Sequence, residues 1–273
     1  MLESSTEQQP EATAQPLTVE SAIANLRSLD LSLRYYAAWW LGRFRVREIA
    51  AVEGLILALA DEDHRTELGD YPLRRNAARA LGKIGDRQAV TGLIRALDCT
   101  DFFVREAAAQ SLGMLGDRSA VPPLMQLLSA GVAATEQVPG RPHAVEPCEA
   151  VIEALGSLGA TEAVDLIQPF VDQPVAKVQY AALRAMYQLT GDDSYGQRLV
   201  QALAGEDLKL RRAVLADLGA IGYLPAASAI ASCAVESSFK LFALKGLLEH
   251  QLNSDTQLSN GAIEVMHLMD SLL

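Results

Sequence analysis

The sequence predicts an all-α fold in which short helix pairs stack side by side into an array. Two observations lead to this prediction. Half of the 273 residues are apolar and only 5% are aromatic, and the commonest apolar residues are Ala and Leu, which favour helices. In addition, the pattern Leu-Arg-x-x-Ala-Ala-x-x-Leu-Gly returns along the chain, and repetition of this kind is typical of stacked architectures.

The chain begins with a segment that has almost nothing to bury. Residues 1–16 are mainly Glu, Gln, Ser, Thr, Pro and Ala, so we expect a disordered tail. From Leu17 the apolar residues take helical spacing, with Thr18 as the expected N-cap. The tail lacks the basic and apolar regions of a signal peptide. No apolar run approaches the roughly 18 residues of a membrane span.

Charge and cysteine content narrow the class of protein. The formal net charge is −11, and so acidic a surface repels phosphate backbones, which disfavours general nucleic-acid binding. Cys99, Cys148 and Cys233 stand far apart, without the paired spacing of a zinc site or a disulfide framework. We therefore expect no metal site and a reducing, cytoplasmic location.

Two copies of the pattern, residues 73–86 and 104–117, align without a gap at a spacing of 31 residues. A unit of this length, with two helices joined by a Gly-Asp turn, is a HEAT-like helix pair. The ninth position of each copy is Leu41, Leu81, Leu112, Leu155, Met186, Leu218 and, in a weaker copy, Leu247. We predict a right-handed α-solenoid (superhelix) of about six to seven HEAT-like helix pairs over residues 17–273.

The pattern also explains how such pairs would pack. Small Ala residues at the fifth and sixth positions let two helices approach closely, and the ninth position fills the seam between them. The Gly-Asp pair ends one helix and caps the next. One pair cannot bury its apolar face alone, so neighbouring pairs must stack.

Two places where the copies lie further apart indicate insertions, at about residues 61–71 and 129–147. Insertions in solenoids emerge as loops from one edge, often the functional one. The second contains the string Val138-Pro-Gly-Arg-Pro-His143, which is incompatible with a helix and predicts an extended loop.

No catalytic motif or phosphate-binding loop is present, so function must be sought on a surface of the array. The second helix of each pair is expected to line the concave side, where its third and seventh positions point away from the seam. The third positions are Tyr35, Arg75, Glu106, Glu149, Tyr180 and Arg212. The seventh positions are Trp39, Arg79, Gln110, Glu153, Arg184 and Ala216. This face is therefore predicted to be aromatic and basic near its amino-terminal end and acidic in the middle.

Plain structural roles compete with functional ones. The arginines at the second position are expected to form hydrogen bonds between repeats: Arg34, Arg74, Arg105 and Arg211. Trp39 and Trp40 are as compatible with packing the first layer as with binding, and Arg75 with Arg79 as compatible with a solvated pair.

Several titratable residues are also open to more than one interpretation. His64 and His143 lie one in each insertion and are candidates for proton transfer, although loop histidines are usually solvated. The three cysteines fit small buried residues better than nucleophiles. Asp101, Asp207 and Asp217 are candidates for protonating a ligand nitrogen, although Asp101 and Asp207 also fit helix caps.

Four strings carry residues that the generic repeat does not require: LRYYAAWWLGRFRVRE, ELGDYPLRRNAARALGKIGD, VPGRPH and SFKLFALKGLLEHQL. With them, the chain resembles the E-type (CpcE family) subunits of heterodimeric phycocyanobilin lyases, whose repeats are the phycobilisome-lyase kind of HEAT-like repeat. The resemblance covers about residues 17–273. It implies a heterodimer with an F-type subunit that attaches phycocyanobilin, reversibly, to a cysteine of the apo-phycocyanin α subunit through a thioether.

The resemblance also gives the expected site a ligand. The reacting thiol would belong to the substrate protein, so this chain would need no nucleophile and no cofactor of its own, and no catalytic residue is assigned. Tyr35, Tyr36, Trp39 and Trp40 would stack against or wall the pyrrole rings. Arg75 and Arg79 would pair with the propionates, with Tyr180, Arg184 and Arg212 as further candidates on the same face.

A second interpretation is a HEAT-repeat scaffold or chaperone that binds a phycobilisome protein without chemistry of its own. The aromatic stretch would then be a protein–protein hot spot, since Trp, Tyr and Arg dominate such sites. Because the four aromatics occupy two stripes of one helix, they cannot all face one surface. Tyr35 and Trp39 are expected on the concave face, and Tyr36 and Trp40 in packing or at the partner.

Overall fold

The chain folds as a succession of helices joined by short turns in a computed structural model that describes residues 17–254 and 259–273. The predicted disordered tail, residues 1–16, lies outside the described residues. Within them, the strand-like pairing is a single antiparallel bridge between Gln137 and Ala144. No helix in the described ranges is long and apolar enough to cross a membrane.

In the described part of the chain the α-helices form seven pairs, followed by one more helix. The first members, called A helices, are α1 (Val19–Asn25), α3 (Ile49–Ala58), α5 (Val90–Ala96), α7 (Val121–Leu127), α9 (Val164–Ile167), α11 (Asp193–Ala202) and α13 (Ala227–Ser232). The second members, called B helices, are α2 (Leu31–Arg43), α4 (Pro72–Ile84), α6 (Phe102–Leu115), α8 (Cys148–Ser157), α10 (Ala176–Thr190), α12 (Leu208–Ile221) and α14 (Ser237–Ser254). Helix α15 (Asn260–Asp270) packs on α13 and α14. The predicted all-α solenoid is confirmed.

The B helices stack directly on one another from α2 to α14, whereas consecutive A helices make few mutual contacts. A stack whose layers lie closer together on one side curves towards that side. The B helices therefore line the concave side, as the sequence pattern predicts. We call the surface formed by their third and seventh positions the B-helix face.

Glycine at the tenth position of the pattern sets the close spacing of the B helices. A Cβ atom built on Gly42 would lie 2.6 Å from the Cα of Ala80, and one on Gly113 would lie 3.0 Å from the Cα of Ala154. The small eighth-position residue of the next helix is the other half of each contact. The ninth-position residues are fully buried in the seam: Leu41, Leu81, Leu112, Leu155, Met186, Leu218 and Leu247.

The turns follow the predicted chemistry. Gly85 and Gly116 end α4 and α6 in the left-handed conformation (φ 78° and 68°), where glycine carries no Cβ penalty. The following Asp86 accepts a hydrogen bond from the Gln88 N–H at 2.9 Å and begins the next turn of helix. Asp101 and Asp207 cap α6 and α12, and Thr18 caps α1 in a capping box.

Second-position arginines hold the insertions to the stack. Arg34 forms an ion pair with Asp61. Arg105 donates at 2.7 Å to the carbonyl of Val145. Arg74 donates hydrogen bonds to the Asp61 carbonyl oxygen and to the Glu62 carboxylate. The expected inter-repeat role is thus observed for these three arginines.

The two insertions meet each other. Arg141, in the second insertion, donates at 2.5 Å to the carbonyl of Leu68 in the first, and its guanidinium lies 3.6 Å from the Asp70 carboxylate. The segments between α3 and α4 and between α7 and α8 therefore form one joined edge beside α6.

The amino-terminal end of the stack differs from its interior because no B helix in the described part of the chain precedes α2. Tyr36 and Trp40 occupy the fourth and eighth positions, which in α4 are the buried Asn76 and Ala80. Large side chains fit in α2 because no neighbouring helix presses on them. Trp40 packs on Phe44, with ring centroids 4.6 Å apart.

Candidate functional site

The amino-terminal half of the B-helix face brings together aromatic and basic side chains from α2 and α4. Tyr35 and Trp39 are 36% and 45% exposed, large fractions for aromatic residues on ordered helices. Arg75 and Arg79 occupy the equivalent positions one layer along. We call these four residues the amino-terminal patch.

Arg75 stands out because it has no close ion-pair partner in the described chain, although its charge opposes the rise in the pKa of Glu106. No carboxylate in the described ranges forms an ion pair with its guanidinium, and its buried Nε has no hydrogen-bond partner there. The guanidinium instead lies over the Phe103 ring at 5.7 Å. A cation held against an aromatic ring with unused donors is suited to an anionic group, particularly a carboxylate.

Arg79 is only loosely paired. Its Nη2 lies 3.6 Å from a carboxylate oxygen of Glu106, and 45% of its side chain is exposed. It lines a recess of about 170 Å³ between α2 and α4, together with Trp39, Asn76 and Lys83. The recess thus offers one indole and two cations to the same volume.

The two insertion histidines are held against aromatic rings at the border of the patch. The His64 ring contacts Tyr35 edge-on at 6.1 Å. Burial, followed by the nearby Arg34 charge, lowers the pKa of His64. His143 stacks on Phe102 at 4.6 Å and 12°. These contacts connect the insertions to the amino-terminal patch.

The sequence pattern alone did not single out Phe102 and Phe103. Phe103 forms the platform under Arg75 and lies edge-on to His143 at 5.7 Å. The available signal was the pair of consecutive phenylalanines at the start of a repeat, in a chain where only 5% of the residues are aromatic.

The other predicted binding residues lie elsewhere. Tyr180 is partly buried against the core, and Arg212 is paired with Glu236. Tyr36 stacks on Trp39 at 5.4 Å but belongs to the open end of the array. Trp40 is also at that end, partly buried against the core.

Arg184 sits in a cluster of acidic residues in the middle of the face. Its Nη1 lies 3.1 Å from an Asp217 oxygen and 3.6 Å from a Glu153 oxygen. Burial raises the pKa of Glu153 to about 7 and that of Asp217 to about 6, although the Arg184 charge opposes both shifts. Two carboxyls in the middle of the face, those of Glu153 and Asp217, therefore have pKa values raised towards neutral pH.

Two of the three cysteines, Cys148 and Cys233, are buried. All three are free thiols, and Cys148 is only 2% exposed. Burial raises the pKa of the Cys148 thiol to about 12, so the reactive thiolate is not populated at neutral pH. Within the described ranges no group of three His, Cys, Asp or Glu residues could hold a metal ion.

Comparison with known protein families gives matches along the array. A model described as HEAT repeats matches residues 66–136, and one described as PBS lyase HEAT-like repeat matches residues 33–61 and 148–173.

Similar proteins match over nearly the full length. The chain is 64% identical over 276 residues to the phycocyanobilin lyase subunit alpha of Nostoc sp. (strain PCC 7120), with 100% of both chains covered. It is 61% identical over 264 residues to the protein of that name from Microchaete diplosiphon, covering 94% of this chain and 90% of the relative. It is 42% identical over 263 residues to the bilin biosynthesis protein PecE of the same Nostoc strain, covering 96% and 98%.

One solved structure is similar throughout. In the complex of CpcE and CpcF of phycocyanin lyase from Nostoc sp. PCC7120, one chain is 64% identical and superimposes with a TM-score of 0.90. The match covers 99% of this chain and 100% of that one.

Proposed function

Because the chain belongs to the family of phycocyanobilin lyase alpha subunits, we propose that its B-helix face holds and orients the bilin during attachment. The chain is one subunit of a bilin lyase that works as a heterodimer with an F-type subunit. Phycocyanobilin and the phycocyanin α subunit are its substrates. The observation that carries the proposal is Arg75, which forms no ion pair within the described residues, has an unpartnered Nε, and lies one layer along the concave face from the exposed Tyr35 and Trp39.

The proposed reaction needs positioning more than covalent catalysis. The thiolate of a substrate cysteine adds to the ethylidene group of ring A, an S–C bond forms, and a proton is taken up by the tetrapyrrole, so nothing leaves. The same steps reversed release the bilin. Holding the chromophore with one face open to the thiol lowers the barrier through orientation.

Within this proposal the residues of the amino-terminal patch have two different roles in bilin binding. Tyr35 and Trp39 supply flat surfaces for pyrrole rings. Arg75 and Arg79 pair with the two propionates, and Lys83 adds charge to the recess beside Trp39.

The insertion histidines remain proposed proton-transfer groups at the edge of this patch. His143 is the better placed, because its ring is fixed between Phe102 and Phe103, next to Arg75. His64 is buried enough to disfavour the imidazolium, and it acts chiefly as the edge contact of Tyr35.

We further propose that the chain uses no cofactor of its own and works in the cytoplasm. Its free thiols fit a reducing compartment. Activity that survives exhaustive dialysis against a chelator would support the first point.

A docking role for the same end of the array also has support. An apolar stripe along α2 is exposed and consists of Leu33, Tyr36 and Phe44. Exposed aromatic stripes are typical of protein interfaces. A scaffold without bilin chemistry would bind its partner through that stripe, and Arg75 would then have no ligand to bind.

The test is bilin binding by the purified heterodimer, followed by absorption. Arg75→Ala is expected to weaken phycocyanobilin binding by about 1–3 kcal/mol, the range for a lost charged hydrogen bond. Arg87→Ala, in an exposed turn, is the matched control and should leave binding unchanged. Normal bilin affinity in a folded Arg75→Ala, Arg79→Ala double variant would remove the patch from the site. A heterodimer that binds no bilin at all would favour the scaffold.

A further inference from the structure

A second recess opens on the B-helix face beyond the amino-terminal patch. It has a volume of about 400 Å³ and lies among α6, α8 and α10. Gln110, Met114, Glu153, Ser157 and Arg184 contribute side chains to its lining. Because three of these are seventh-position residues, the recess lies in the same column as Trp39 and Arg79.

One wall of the recess is an ion cluster whose charges do not balance. The Arg184 guanidinium is shared between Glu153 at 3.6 Å and Asp217 at 3.1 Å, so one cation faces two carboxyls. Its buried Nε has no acceptor among the described residues, so a donor remains unused at this wall.

Charged groups on the neighbouring helices leave the imbalance in place. Glu149 on the same helix adds negative charge, and Lys177 on α10 offsets part of it. Glu106 on α6 is paired with Arg79, and the charges of Lys177 and Arg75 also act on it. Helix α7, which packs on the other side of α8, has no titratable side chain. The cluster therefore accommodates either a retained proton or a cationic ligand.

The two carboxyls differ in their access to the recess. The Asp217 side chain is 11% exposed and hydrogen-bonded to Arg184. The Glu153 side chain is 33% exposed and lines the recess. Burial raises the pKa of Glu153 to about 7. Near neutral pH the protonated and ionised forms of this carboxyl are therefore both populated.

We propose that Glu153 is the catalytic acid that protonates the bound bilin, with Arg184 and Asp217 as positioning residues. This inference rests on the proposed function, since it requires the bilin to lie on the B-helix face. The proton leaves the Glu153 carboxyl and binds the imine-type ring nitrogen that carries no hydrogen. The resulting carboxylate and protonated nitrogen then form a charge-assisted hydrogen bond.

Protonation of the bilin favours the addition of the substrate thiolate. A cationic tetrapyrrole draws electrons from the ethylidene group of ring A, so the thiolate adds to it more readily. When the bilin departs in the reverse direction, the same carboxylate takes the proton back. General acids of this kind typically contribute about 10²–10⁴-fold to rate.

The two recesses lie on one face of consecutive B helices, the first between α2 and α4 and the second among α6, α8 and α10. Arg79 reaches from α4 to α6, where it meets Glu106. Its guanidinium is therefore about one helix–helix spacing, roughly 8–10 Å, from α8. A tetrapyrrole whose propionates meet Arg79 can thus bring its ring nitrogens to Glu153.

The test follows the absorption of phycocyanobilin bound to the heterodimer from pH 5 to pH 9. In the unaltered complex the red-shifted, protonated form should give way to the neutral form at high pH. Glu153→Gln should lower the pH midpoint by at least about one unit and, with bilin saturating, slow attachment at pH 7 at least about tenfold. Glu53→Gln, on A helix α3, removes an exposed carboxyl without touching the recess and should change none of these.

A second variant keeps the proposal falsifiable if Glu153→Gln does not assemble. Asp217→Asn leaves Glu153 in place and makes it the only carboxylate of the cluster that is paired with Arg184. The pH midpoint of the bound bilin should therefore also fall, but by a smaller amount. Midpoints unchanged in both variants, with bilin bound, would overturn the assignment and leave the cluster as a link between repeats. If the unaltered heterodimer binds no bilin, the proposed function itself fails.

Discussion

Gly42 and Ala80 lie so close that a single added methyl group on Gly42 would overlap the backbone of the next B helix. This contact sets the spacing of α2 and α4, and with it the distance between the two halves of the amino-terminal patch. The same glycine-to-small-residue contact recurs between α6 and α8.

Gly42→Ala should therefore destabilise the first two layers by about 1–3 kcal/mol, the usual cost of overpacking. Denaturant unfolding measures the loss. Gly92→Ala is the matched control, because its new Cβ would approach the movable Cδ1 of Leu59 at 3.0 Å and lie in ordinary contact with the Cγ2 of Ile56 at 3.5 Å, without meeting backbone. Equal effects of the two substitutions would argue against the close contact.

The two adjacent tryptophans should separate binding from stability. Trp39→Leu removes an exposed ring of the amino-terminal patch and should weaken bilin binding by about 0.5–1.5 kcal/mol, with little change in unfolding. Trp40→Leu removes a ring packed on Phe44 and the core, so it should lower stability and spare bilin affinity. Titration with phycocyanobilin and thermal unfolding of both variants check this, and the reverse pattern would exchange their roles.

Glu153 should make stability depend on pH. Its pKa is about 7 in the folded chain against a usual 4.5, so the folded state holds the proton more tightly than the unfolded state. The stabilisation is complete below about pH 4.5 and is lost as the pH rises to about 7. Glu153→Gln should match the unaltered chain at pH 4.5.

At pH 8 the same variant should exceed the unaltered chain by about 1–3 kcal/mol, a range reduced because the side chain is one-third exposed. Thermal unfolding across this pH range measures the difference. Glu53→Gln should show no such trend.

The contact between the two insertions should be visible by hydrogen exchange. Arg141→Ala removes the bond to the Leu68 carbonyl and the ion pair with Asp70. Amides of residues 138–146 and 66–70 should then exchange faster, while those of α6 stay protected. Arg87→Ala should leave both segments unchanged, and protection that persists without Arg141 would mean that other contacts hold the edge.

The cysteines should be dispensable for attachment. Cys99, which is partly exposed, should react with a thiol reagent in the native chain, whereas the buried Cys148 and Cys233 should not. A variant with all three replaced by Ala should still attach bilin at a similar rate, since the reacting thiol belongs to the substrate. A covalent bilin adduct on Cys99 would contradict this expectation.

The repeat pattern was enough to predict the helix pairs, the buried Leu anchors and the capping aspartates, because each depends on a local motif. The state of the arginines was not predictable in this way. Arg75 and Arg184 occupy comparable positions of the face, yet Arg184 meets Glu153 and Asp217 from two other layers while Arg75 meets Phe103. Which arginine has carboxylate partners depends on side chains 28 to 33 residues away, which the pattern of one repeat does not contain.

The open end of the array also has an energetic consequence. Each interior layer is stabilised by a B helix on both sides, but within the described residues α2 has a neighbouring B helix on one side only, so fraying of the stack should start at the layers that carry Tyr35 and Arg75. A ligand that bridges α2 and α4 would add the missing stabilisation to this weakest part of the chain. Chromophore binding and completion of local folding would then be thermodynamically linked, and the empty site would be the first region of the solenoid to open.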